Sequence, residues 1–82
     1  MREVDLREMI GRLDEGKLDL ADRAFIAWSA ARGMRFYLRA EDIGPAVGCY
    51  DILIKLHKDK SLRIRRLVAH AHEEFDQQVE VA

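Results

Sequence analysis

The chain has 82 residues, 49% hydrophobic and 35% charged, with 14 Lys and Arg against 15 Asp and Glu. That suffices for one domain with a thin core, is too apolar for a disordered chain, and is too evenly charged for a protein coated with nucleic acid. No apolar run approaches the roughly 20 residues that span a bilayer. Residues 1–5 carry no apolar signal core, and the single cysteine, Cys49, cannot form an internal disulfide, so one cytoplasmic domain over 1–82 with no membrane contact is expected.

Thr and Asn are absent and Ser occurs only at Ser29 and Ser61. The side chains that compete with helical backbone are therefore scarce. An all-α fold is expected, a compact domain of four helices at about 3–15, 20–32, 43–59 and 62–79. In the first, Val4, Leu6, Met9, Ile10 and Leu13 recur near three and four, a one-sided stripe. Gly16 suits the left-handed position just past its end.

The second helix takes Asp19 as its N-cap and Gly33 as its stop. Leu20, Ala24, Ala27, Trp28 and Ala31 share one face, and Phe25, Ile26 and Ala30 widen the apolar arc nearly all round. A helix apolar on most sides must be covered on most sides. Residues 34–40 follow as an extended connection, because Met34 to Arg39 alternate apolar and polar and no second strand exists to pair with them. Phe36 and Leu38 would pin that connection to the core.

Asp42 can cap the third helix, which puts Pro45 at its third position, where the missing amide has no intrahelical partner to lose. Val47, Tyr50, Leu53 and Ile54 make its main, core-facing stripe, while Asp51, Lys55 and Lys58 face solvent. Ser61 caps the fourth helix, whose Ile64, Leu67, Val68, Ala71, Phe75 and Val79 keep the 3.6-residue period.

Four helices of this length cannot cover every apolar face. The second stripe of the third helix, Cys49, Ile52 and Leu56, with Phe25 and Trp28, is expected outside a simple bundle as an apolar interface. Monomers seldom expose large contiguous apolar patches, so a homodimer with twofold symmetry is expected.

Charge is polarised along the chain. Lys55, Lys58, Lys60, Arg63, Arg65 and Arg66 fall within twelve residues, opposed there only by Asp59. The arginines crowd the start of the fourth helix and Glu73, Glu74, Asp76 and Glu80 its end, both against the helix dipole. Lys58, Lys60, Arg63 and Arg66 are the expected contacts to an anion or an acidic partner.

Catalytic signals are weak. His70 and His72 sit about 200° apart around a helix, so they cannot share a metal. Their spacing instead pairs His70 with Glu74 and His72 with Asp76. Cys49 lies among apolar neighbours with no base placed beside it. Gly44 to Gly48 lacks the lysine and the preceding strand of a phosphate loop. No catalytic residue, cofactor or metal is expected.

Residues 41–58 resemble a helix-turn-helix, with a small residue, an aliphatic and Gly48 at the usual intervals and the basic stretch directly after. The resemblance implies a DNA-binding regulator and a turn at Gly48. Against it, Pro45 would fall inside a short first helix, at a cost of about 3 kcal/mol. Asp51, Ile52 and Leu56 would also stand where base-reading polar side chains belong. The expected function is therefore a small non-catalytic cytoplasmic protein, an inhibitor or adaptor such as a phage-type anti-host factor, that binds and modulates another protein. DNA binding is the alternative.

Overall fold

The short side chains at 19 and 61 start helices as anticipated. The Asp19 carboxylate accepts from the Asp22 amide at 2.8 Å, and Ser61 Oγ accepts from the Ile64 amide at 3.4 Å. The computed structural model describes residues 6–81. In it four helices follow one another: α1 Leu6–Asp14, α2 Leu20–Arg39, α3 Ile43–Ile54 and α4 Leu62–Val81. The all-α, four-helix expectation holds. Residues 3–5 of the first predicted helix lie outside the described residues. Gly16 closes α1 with φ 71°. Its amide reaches Leu13 O at 3.0 Å and the Lys17 amide reaches Arg12 O at 3.1 Å, a Schellman turn.

Gly33 does not stop the second helix. α2 runs through it to Arg39, and residues 34–39 are helical rather than extended. The reason is a close helix crossing. A Cβ at Gly33 would come within 3.0 Å of Cys49 Sγ on α3, so glycine here makes room for a neighbour. The real stop lies eight positions on. Glu41 takes φ 58°, its amide donates to Leu38 O, and the Asp42 amide donates to Tyr37 O at 2.9 Å. This is a second Schellman turn, with Glu in the place glycine usually fills.

The third helix is shorter than expected. α3 ends at Ile54, and residues 55–58 tighten into turns. The amides of Leu56, His57 and Asp59 donate to carbonyls three residues back. That tightening swings Leu56 into the core and brings Asp59 to Arg23 of α2. Asp42 precedes α3, but its side chain makes no capping bond. Pro45 is the third residue of α3, as anticipated.

α2 is the central element and packs against both α3 and α4. It contributes Ile26, Ala27, Ala30, Ala31, Met34 and Leu38 to the core, against Ala46 and Leu53 of α3, Leu56, and Ile64, Val68 and Ala71 of α4. Each fully buried large residue, such as Leu53 or Ile64, contributes about 1.5–3 kcal/mol by leaving water. The alanines of α2 contribute by letting both neighbours come close. Val79, expected on the core stripe of α4, is exposed.

Two ion pairs lock the frame. Arg23 Nε donates to Asp59 at 2.7 Å with the Asp59 side chain only 6% exposed. Arg35 grips Glu74 through Nε at 2.7 Å and Nη2 at 2.9 Å, tying α2 to α4. α1 joins the body through Leu13 and the Asp14–Lys55 pair at 2.9 Å.

Candidate interaction surfaces

On α2, residues Ala21, Phe25, Trp28, Arg32, Phe36 and Arg39 recur at steps of three and four. They share the face opposite the core residues. Phe25 is 42% exposed, Trp28 51% and Phe36 66%. The Arg32 guanidinium lies 5.2 Å from the Trp28 ring, and Phe36 meets Tyr37 edge-on at 5.3 Å. α2 thus sets Ile26, Met34, Leu38 and three alanines against the core and turns Phe25, Trp28 and Phe36 toward solvent. Phe36 was expected in the core and is the most exposed of these rings. Leu38 is buried as expected.

The main stripe of α3 splits: Leu53 faces the core as expected, Tyr50 packs at its edge, and Val47 and Ile54 point outward. Ala46 and Leu53 face the core, and with them the stripe Cys49, Ile52 and Leu56. Leu56 is 1% exposed and cannot be a surface contact. Cys49 and Ile52 are half-buried against the core, and burial pushes the Cys49 thiol above its ordinary range. The predicted grouping of these residues with Phe25 and Trp28 on one outer surface is therefore not formed. The Gly33–Cys49 approach sets this rotation of α3. Ile43, Val47 and Ile54 are left exposed instead, with Tyr50 half-buried between them.

That outer stripe runs into a hollow of about 510 Å³ between α3 and α4. Ile54, Val68 and Ala69 supply apolar walls, and His57, Arg65, His72 and Glu73 line it too. Tyr50 stacks on Phe75 with 4.3 Å between ring centres. The Tyr50 hydroxyl hydrogen-bonds His72 Nδ1, and His72 Nε2 lies 3.2 Å from Asp76. Burial, then the nearby Asp76 charge, raise the Tyr50 hydroxyl above its ordinary range. Both expected helix pairs form, His72 with Asp76 and His70 with Glu74 at 3.4 Å.

The basic cluster divides in two. Lys58 and Lys60 line a second hollow, of about 320 Å³, with Leu13, Leu18, Leu56 and Arg23. Arg63 and Arg66 stand on the first turns of α4. All four cations are exposed and make no ion pair among the described residues. Arg65 is occupied, donating to Asp59 O at 2.8 Å. Burial alone would raise the Asp59 carboxyl. The Ser61 amide and Arg23 bonds, with the charges of Arg23 and Arg65, outweigh it and lower the carboxyl below its ordinary range.

Compared with known proteins, the chain matches no family model, no curated protein and no solved structure. α3 passes through Gly48 without a break, so the turn that the helix-turn-helix resemblance implies is not formed. No helix among the described residues is long and apolar enough to cross a membrane. The sequence reading missed Arg32 and Phe36 on the outer face of α2, and Ile43, Val47 and Ile54 on α3. The three-and-four recurrence from Phe25 to Arg39 was the available signal for the first group, and it is visible only if the helix is carried past Gly33.

Proposed function

We propose that this protein is a small non-catalytic interaction module of the cytoplasm, a homodimer that binds another protein and modulates it in the manner of an inhibitor or adaptor. The apolar groove between α3 and α4 carries the proposal. The exposed residues Ile43, Val47 and Ile54 lead into a hollow whose size suits apolar anchor side chains. A stripe beside a hollow between two helices is the form that takes an amphipathic helix of a partner, its anchors spaced at three and four. His57, Arg65, His72 and Glu73 give the groove a rim of both signs, which favours orientation over non-specific adhesion.

The test is a photoreactive side chain placed at Val47 or at Ile54 of the full chain, irradiated in cells. One discrete adduct shared by both positions, absent when the label sits at Glu15 and lost when Ile54→Glu is added to the Val47 label, is the expected result. An adduct of twice the chain mass reports self-contact instead. Equal smears at all three positions, or no adduct, would overturn the proposal for this groove.

A further inference from the structure

We infer that the basic hollow where α1 stops and α2 starts is a binding site for a small phosphate monoester with a short aliphatic body. The site is separate from the groove of α3 with α4, since no residue lines both. Three segments build its walls. Leu13 comes from the end of α1, Leu18 from the turn before α2 with Arg23 from the first turn of α2, and Leu56, Lys58 and Lys60 from the connection between α3 and α4. The three leucines give it an apolar lining. Its volume of about 320 Å³ stands at the small end of ligand cavities.

Charge selects the head group. Both oxygens of Asp59 are engaged, one by Arg23 Nε at 2.7 Å and the other by the Ser61 amide at 2.8 Å. Lys55 is taken by Asp14, at 2.9 and 3.1 Å to its two oxygens, and Lys17 by Glu15 at 3.2 Å. Lys58 and Lys60 are left over, with no ion pair among the described residues. Arg23 adds a fixed donor. Its Nε is held by Asp59 and its Nη1 by Leu18 O at 2.9 Å, while Nη2 has no acceptor among the described residues. Cations gathered beside apolar surface repel one another more strongly than in open water, and an anion relieves that repulsion. A carboxylate brings one charge and two oxygens. A phosphate monoester brings a charge of about −1.5 to −2 and three oxygens, which matches two ammonium groups and one guanidinium. The helix dipoles do not decide the sign, because the ends of α1 and α3 meet the starts of α2 and α4 here and offset each other. The leucines offer the rest of the ligand no hydrogen bond, so its body is hydrocarbon.

Hexyl phosphate is the probe, titrated calorimetrically into the full chain near physiological salt. A dissociation constant of about 100 µM is expected, at least tenfold tighter than for inorganic phosphate, hexanoate or hexanol. Amide resonances of Gly16, Leu18, Lys58 and Lys60 should move, and those of Val47 and His72 should not. Lys58→Ala with Lys60→Ala, at exposed positions, should keep the parent circular dichroism and weaken binding at least tenfold. Arg32→Ala with Arg39→Ala removes the same charge from residues outside the hollow, and should leave binding nearly unchanged. Equal loss in the two pairs reduces the effect to net charge and overturns the site. Equal affinity for inorganic phosphate overturns the aliphatic body, and equal affinity for hexanoate or hexanol overturns the phosphate head. Binding to phosphatidic acid vesicles with none to soluble hexyl phosphate overturns the small soluble ligand. Neither heat nor shifts up to about 5 mM would overturn the inference outright.

Discussion

Gly33 and Cys49 should behave as one unit. Replacing a helix-interior glycine by alanine ordinarily stabilises by about 1 kcal/mol, because the unfolded chain loses freedom. Here the added methyl would lie 3.0 Å from Cys49 Sγ, several tenths of an ångström inside a comfortable contact. The crossing of α2 and α3 must open, or the thiol must leave its rotamer, and crowding of that kind costs about 1–3 kcal/mol. Gly33→Ala alone should therefore destabilise, by up to about 2 kcal/mol. Cys49→Ala removes the sulfur and leaves a small gap at a half-buried position. In that background Gly33→Ala should recover its propensity gain and stabilise by about 1 kcal/mol. Urea unfolding of the four proteins of the cycle, followed by circular dichroism, gives the coupling directly. Identical effects of Gly33→Ala with and without the thiol would refute the close crossing as the reason α2 tolerates glycine at its centre.

Glu41→Gly should raise stability by about 0.5–1 kcal/mol in thermal melts, since it relieves a left-handed backbone at φ 58° while keeping the Schellman turn. Acid should weaken the fold through Asp59 and Glu74. Both carboxyls are lowered in the folded chain, Glu74 chiefly by its bonds from Arg35. Their stabilisation is full above the unfolded carboxylate range of about 4 and is lost as pH falls through the lower folded values. Urea midpoints should hold from pH 7 to 5 and drop below about pH 4, with a shallower drop in Asp59→Asn; an equal drop in that variant would remove Asp59 from the account. Duplex DNA should bind no tighter than about 10 µM near physiological salt. A sub-micromolar constant that collapses with salt, and that Arg63→Ala with Arg66→Ala abolishes without unfolding, would restore DNA binding as the function.

Where a side chain acts locally, the sequence was easy to read. Asp19, Ser61 and Gly16 mark their helix ends through bonds or torsions within three or four residues, and the stripe from Ile64 to Phe75 needs only the helical period. The errors share one origin. Gly33 looks like a stop because glycine usually ends helices through its torsional freedom, whereas here it serves a contact sixteen positions away. With the helix ended at Gly33, Met34 to Arg39 has no helical frame, and the alternation of Phe36 and Leu38 reads as an extended segment. Glu41 gave no warning, since glutamate is an uncommon occupant of a left-handed position. The end of α3 was hidden for a similar reason. No glycine or proline stands at 55–59, and the turn is fixed by the distant bond between Asp59 and Arg23.

The inward turn of Cys49, Ile52 and Leu56, and the outward turn of Val47 and Ile54, follow from the same contact. Both stripes are apolar, so hydrophobicity alone cannot say which faces inward. What decides is volume. Ala27, Ala30, Ala31 and Gly33 make the inner side of α2 shallow, and α3 comes close enough to seat Ala46, Cys49 and Leu53 there. Tyr50 at that interface would hold the helices apart, so it turns toward Phe75 and His72, and Val47 and Ile54 turn outward with it. The core of this domain is therefore selected for closeness rather than for bulk. Phe25, Trp28 and Phe36 are left on the outer face of α2, and Ile43, Val47 and Ile54 beside the groove of α3 with α4. The groove shares Val68 and the Tyr50–Phe75 stack with the α3–α4 packing, while its outer stripe of Ile43, Val47 and Ile54 and the aromatic face of α2 are apolar enough to gain by being covered. A chain of this size has little core to spare, so apolar area left outside is area withheld from folding. That is the physical basis for proposing that the groove of α3 with α4 is covered by a partner.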